Sequence, residues 1–139
     1  MDIKKWLSRG YWAEKERKVL ENERSKAYND LFPSSDVAGE RVQQSRKNNT
    51  EEKYVKYLDY DKRLKKQIEK LLKIKIEIFD VISGVEDMRL CTLLELRYIK
   101  FYTWEKIAEA MNYEQRQVYR IHCDALNEAE KVLKNKRCQ

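Results

Sequence analysis

Turn-forming residues are scarce in this chain: 139 residues hold one proline and three glycines. Each hairpin of a sheet draws on such residues, so this composition leaves too few turns for a β architecture and favours long helices. Cysteine is also sparse. Cys91, Cys123 and Cys138 form no CxxC pair, and an odd number cannot fully pair within one chain. A disulfide framework is therefore excluded, and free thiols in a reducing cytosol are expected. No apolar run approaches the roughly 18 residues of a membrane span, and no signal peptide opens the chain. The opening MDIKKWLSRGYW is basic and aromatic but too short and polar for a membrane anchor. A cytoplasmic protein without membrane contact is expected.

Catalytic signatures are missing as well. No glycine-rich phosphate loop, nucleophile elbow or metal-protease motif occurs. Carboxylates are many, but each has basic neighbours and none sits in an apolar context that would raise its pKa. His122 lies beside Cys123, yet adjacent helical positions point some 100° apart and no further ligands are spaced for zinc. A satisfied core histidine is expected there. We expect no enzyme, no cofactor and no metal.

Charge, by contrast, is plentiful. Asp, Glu, Lys and Arg make up 39% of the residues with a formal net charge of +6, and 42% are apolar, enough for a modest core. A basic balance suits a nucleic-acid partner or an anionic surface. The expected fold class is all-α.

Along the chain, a first helix is expected from about Ile3 to Asp30, broken near Gly10, with Val19, Leu20, Ala27 and Leu31 as a sparse apolar stripe. Residues 32–49 hold the only proline and many Ser and Asn, and read as a loop with room for a short turn of helix. A long helix follows, with Thr50 as N-cap and Glu51 and Glu52 in its first turn. Its residues Tyr54, Tyr57, Asp61, Leu64, Ile68, Leu71, Lys75, Ile78 and Ile82 are spaced alternately by three and four. That is a heptad seam with two polar interruptions, widened by Leu58, Leu72 and Phe79. Either a hairpin with the first helix or a homodimer through the 54–82 seam satisfies it, the hairpin favoured because the first helix needs a partner too. The basic run KRLKKQIEKLLKIK, residues 62–75, reads as the solvated back of this helix rather than a DNA track. Gly84 sits where a left-handed C-terminal cap is expected. The chain thus divides into an N-terminal helical arm, 1–84, for oligomerisation or partner contact, and a C-terminal module, 85–139.

Within that module, helices are expected over about 87–99, 104–111 and 114–133. Leu90, Leu93, Leu94 and Tyr98 share one face of the first. Thr103 caps the second, in which Trp104, Ile107, Ala108 and Met111 recur at helical spacing. The stretch TWEKIAEAMNYEQRQVYRIH satisfies the needs of a helix-turn-helix corner. Ala108 is small at the crossing, Asn112 tolerates the left-handed conformation at the corner, and Val118 is a branched anchor. With Val118 inward, Ile121, His122, Ala125, Ala129 and Val132 also point inward. Arg116, Tyr119, Arg120, Cys123 and Asn127 then point outward, with Gln115 and Gln117 flanking the helix start. Arg can bond guanine bidentately, Gln can bond adenine, and Tyr can reach phosphate or thymine methyl. A solvated polar face is the plain alternative, and Glu114, Glu128 and Glu130 speak for it.

The string LLELRYIKFYTWEKIAEAMNYEQRQVYRIHCDAL, Leu93 to Leu126, resembles region 4 of sigma-70-type factors. It is most similar to small phage and prophage transcriptional regulators of the ArpU/RinA type. That resemblance implies a recognition helix bearing Gln115, Arg116, Gln117, Tyr119 and Arg120, and a preceding helix that touches the DNA backbone through Thr103 and Lys106. Asn112 replaces the usual Gly, and Glu114 stands where such proteins often carry a Ser or Thr cap. The function this implies is a sequence-specific double-stranded DNA-binding regulator of phage or prophage late genes, acting in the bacterial host cytoplasm at the nucleoid. RNA polymerase is a further partner under this reading. A helical adaptor that binds RNA polymerase with little DNA affinity is the alternative, and a DNA-packaging component a third.

Overall fold

A computed structural model describes residues 2–33 and 43–138. The protein is all-α, and no strand occurs among the described residues. Its helices are α1 (Ile3–Leu7), α2 (Arg9–Leu31), α3 (Gln43–Ser83), α4 (Met88–Leu94), a π-helical turn (Glu95–Ile99), α5 (Trp104–Met111) and α6 (Gln115–Arg137).

Two compact units emerge: residues 1–13 with 71–139, and residues 14–70. The boundary expected at 84/85 does not follow the packing. Ile3 and Leu7 of α1, and Ile78, Val81 and Ile82 near the end of α3, belong to the same apolar core as Leu93, Leu94, Ile107, Val118 and Ala125. Burial rather than chain order decides membership, because the short C-terminal helices alone expose one side of their core.

Asp2 caps α1 by accepting a hydrogen bond from the Lys4 amide at 3.0 Å. The break expected near Gly10 falls at Ser8. The Ser8 hydroxyl donates to the Lys4 carbonyl at 2.7 Å, an alternative to the helical ladder that serine readily takes. Gly10 lies inside α2 and is buried.

The long helix starts at Gln43, so Thr50 lies within it and is not its N-cap. Nothing between Gln43 and Thr50 is Gly or Pro, and Gln, Arg and Lys among them are good helix formers. A helix already nucleated downstream extends through such residues. Of the loop expected over 32–49, residues 34–42 lie outside the described residues.

The buried line of α3 keeps Tyr57, Leu64, Leu71, Ile78 and Ile82 of the expected seam and shifts by one residue at the alternate positions. Leu64, Leu71, Ile78 and Ile82 are buried as expected, but Gln67 and Val81 are buried too, while Tyr54 and Ile68 are exposed. The true ladder therefore runs through 57, 60, 64, 67, 71, 74, 78 and 81. Hydrophobicity pointed to Ile68 over its polar neighbour Gln67, and packing chose otherwise. In the unit of residues 14–70, α2 and α3 run antiparallel as a hairpin. Arg24 donates to Asp61 at 2.9 Å, and the Tyr28 and Tyr57 rings lie 5.9 Å apart. The buried seam residues are thus covered within the chain and are not available to a second copy.

Gly84 does not adopt a left-handed conformation; no glycine among the described residues has positive φ. Its role is close approach. A Cβ there would lie 2.6 Å from Val132 Cγ1 on α6. Val132 itself is half-buried, and Leu133 takes the last inward position of α6.

Candidate nucleic-acid interface

The corner between α5 and α6 is built from three local choices. Thr103 caps α5, its hydroxyl accepting from the Lys106 amide at 3.3 Å. Asn112 ends α5 in the left-handed conformation, φ 58° and ψ 42°, which Asn accepts more readily than other residues with a Cβ. Its amide and that of Tyr113 donate back to Glu109 and Ala108 carbonyls at 3.3 and 3.0 Å, closing the turn. Glu114 then precedes α6 with no side-chain cap, so the first amides of α6 face outward without an internal acceptor from that residue.

Behind the corner the packing is dense. Ile107, Ala108, Val118, Ile121 and Ala125 are buried, and α6 packs against α4, α5 and α1. His122 is buried as well. Its Nε2 shares a 2.7 Å hydrogen bond with the Tyr98 hydroxyl, and the Trp104 ring meets the imidazole edge-on at 4.6 Å. Burial, reinforced by the positive charges of Lys4 and Arg97, pushes the His122 pKa down to about 4. Burial also raises the Tyr98 phenol to about 12. Both groups are therefore neutral near pH 7 and form a structural pair, with no charge to offer a ligand.

In front of the corner, every residue singled out from the sequence is exposed: Thr103, Lys106, Gln115, Arg116, Gln117, Tyr119 and Arg120. They occupy the start of α5 and the first two turns of α6, so the fold gathers them around one corner. Arg116 and Arg120 lie one turn apart, and neither pairs with an acid among the described residues. Two uncompensated guanidiniums beside two carboxamides form a cationic, hydrogen-bonding ridge. Glu105, Glu109 and Glu114 mark its acidic border.

Two residues of the site escaped sequence reasoning. Trp104, noted there only for its helical spacing, bridges core and surface. Its ring meets Tyr119 edge-on at 5.4 Å while touching His122 on the other side. Arg97 lies over the Trp104 ring at 4.3 Å and donates to the Tyr102 carbonyl at 2.9 Å. The π-helical turn that carries Arg97 has no signature in composition or spacing, and it re-aims the side chains after Leu94. Phe101, at φ 62°, then reverses the chain into the α5 cap.

Among the described residues no group of three or more His, Cys, Asp or Glu side chains could hold a metal ion. None of the described helices is long and apolar enough to cross a membrane.

A family model described as a protein of unknown function (DUF1492) matches residues 31–133. Neither a characterised protein nor a solved structure matches the chain.

Proposed function

The chain belongs to the DUF1492 family, which carries no assigned activity, and we propose from its geometry that it is a sequence-specific double-stranded DNA-binding transcriptional regulator. The observation that carries this reading is the exposed ridge of Gln115, Arg116, Gln117, Tyr119 and Arg120 at the start of α6, set on a helix-turn-helix corner. In this reading the first two turns of α6 enter a major groove. Arg116, Arg120 and the two Gln contact base edges, while Lys106 and Thr103 hold the phosphate backbone from α5. The likeness to sigma region 4 and to ArpU/RinA-type regulators supports placing the action at phage or prophage late promoters in the bacterial cytoplasm, with RNA polymerase as a neighbour. No catalytic step belongs to this function.

The acidic border of Glu105, Glu109 and Glu114 favours a second reading, in which the same corner binds RNA polymerase or another protein and DNA only weakly. A salt titration of affinity for cognate and scrambled duplexes separates the two. Replacing Arg116 and Arg120 by Ala should leave the fold intact, since both are exposed. Cognate affinity should fall by about 1–3 kcal/mol for each base-contacting Arg, with relaxed preference at the matching base pairs. Lys106→Ala should weaken cognate and scrambled DNA alike and lower the log–log salt slope by about one unit. If the double Arg variant binds both duplexes as tightly as the parent, the ridge is not a DNA-reading surface and the adaptor reading takes its place.

A further inference from the structure

One face of α3 is left uncovered. Val55, Leu58, Leu72, Ile76 and Phe79 are 65, 48, 55, 61 and 50% exposed, although all are large and apolar. Single exposed apolar residues are ordinary, but five on one helix face are not. Together with Lys62, Lys65 and Glu69 they occupy positions 55, 58, 62, 65, 69, 72, 76 and 79, spaced alternately by three and four. This is a second heptad seam, distinct from the buried ladder, on a helix that is continuous from Gln43 to Ser83. Toward its C-terminal end, Leu72, Lys75, Ile76, Phe79 and Ile99 line a shallow groove of about 230 Å³.

We propose that this face of α3 is a two-fold interface with a second copy of the chain, the two α3 helices running antiparallel about an axis near Gln67. The sequence of the seam is self-complementary in that orientation. Val55 meets Phe79 of the second copy, Leu58 meets Ile76, the Lys62 stem lies on Leu72, and Lys65 meets Glu69. Each pair occurs twice, as an isologous contact requires. Along one flank Asp59 faces Lys73, again opposite in sign, and Lys66 meets its own copy at the axis as the one like-charge contact there. A parallel, in-register pairing would instead stack Lys62 on Lys62, Lys65 on Lys65 and Glu69 on Glu69 within the seam. Charge therefore selects the antiparallel arrangement.

Within one chain Lys65 pairs with Asp61 at 3.1 Å and Asp59 with Arg63 at 3.0 Å. The Asp59–Arg63 pair is exposed and holds weakly, so Asp59 is open to sharing across the interface, whereas Asp61 stays with Arg24. At 1.5 Å per residue the seam runs about 36 Å. A helix pair in contact over that length approaches the roughly 800 Å² per partner of a standard interface. The proposal is independent of DNA binding.

The test uses the full chain. Sedimentation equilibrium at tens of micromolar should give a dimer. Leu72→Glu should give a monomer of unchanged helicity by circular dichroism, because Leu72 is solvent-exposed within the single chain. Lys65→Glu should weaken the dimer, and adding Glu69→Lys should restore it. For geometry, Cys123 and Cys138 are replaced by Ser, and Val55→Cys and Phe79→Cys chains are oxidised separately and mixed. Disulfide dimers should form in the mixture and not in either alone. A parent chain that sediments as a monomer overturns the proposal. So does self-crosslinking of Val55→Cys with none in the mixture, whether or not Leu72→Glu folds.

Discussion

Gly84 and Gly10 show how differently two glycines in one core constrain the chain. Gly84 leaves no room: an added Cβ meets a branched Val132 methyl at 2.6 Å, and valine has no flexible end to swing aside. Gly84→Ala should cost about 1–3 kcal/mol, the usual range for overpacking, in a urea melt. Adding Val132→Ala should recover part of that loss, because it removes the methyl that clashes. Gly10 has space, with its nearest non-local atoms, Ile78 Cδ1 and the Tyr98 carbonyl oxygen, at 3.5 Å, and it lies inside a helix without positive φ. Gly10→Ala should therefore be neutral or stabilise by up to about 1 kcal/mol. The opposite ranking of the two variants would show that backbone conformation, not space, governs both sites. Sequence spacing pointed to a left-handed cap at Gly84 and a break near Gly10, because adjacency to a helix end is visible in sequence and a neighbour 48 residues away is not.

At the level of elements, α5 and α6 were legible because their needs are local. A Thr cap, an Asn at the corner and apolar residues at helical spacing each act within a few residues, and Thr103, Asn112, Val118 and Ile121 occupy the expected positions. The π-helical turn, the left-handed Phe101 and the one-residue shift at alternate positions of the α3 seam were not legible. Each is set by what packs against it: Phe101 holds its conformation with its ring 6.0 Å from Tyr11 and under the Lys75 ammonium at 5.2 Å. His122 is where these elements meet, and it makes their packing measurable through pH. Its folded pKa of about 4 lies below the ordinary 6.5, so the folded state binds fewer protons than the unfolded state between those values. Stability from this group is complete above pH 6.5 and is lost as pH falls toward 4, by about 3 kcal/mol in all. The Asp61 and Asp87 carboxylates, held below their ordinary 3.8 chiefly by hydrogen bonds from Arg24 and the Arg89 amide, lose their contribution only at lower pH. Urea melts between pH 7 and pH 4.5 should show the decline, and His122→Gln should flatten it. An unchanged slope in that variant would assign the pH dependence to other groups.

For the molecule as a whole, all-α architecture follows from composition, since so few turn residues admit little else. The division into units does not follow from chain order. Leu7 is fully buried in the core that supports the α5–α6 corner, together with Ile3 and with Ile78 and Ile82 of α3. A module cut at residue 85 would lose all four. Leu7→Ala in the full chain should therefore cost about 2–5 kcal/mol, the range for emptying a well-packed leucine site. The loss should also reach α6, speeding amide exchange at Val118, Ile121 and Ala125, more than a hundred residues downstream. Val19→Ala, on the exposed side of α2, should change stability by less than about 0.5 kcal/mol and leave those amides protected. Were the N-terminal helix an independent arm, Leu7→Ala would leave exchange in α6 untouched, and residues 85–139 alone would fold. Hydrogen-exchange mass spectrometry of the two variants, with circular dichroism of the 85–139 fragment, decides between these outcomes. The unfolded fragment is the expected one, because the Gln115–Arg120 ridge faces solvent and only the core behind it, completed by Leu7, holds α6 in place.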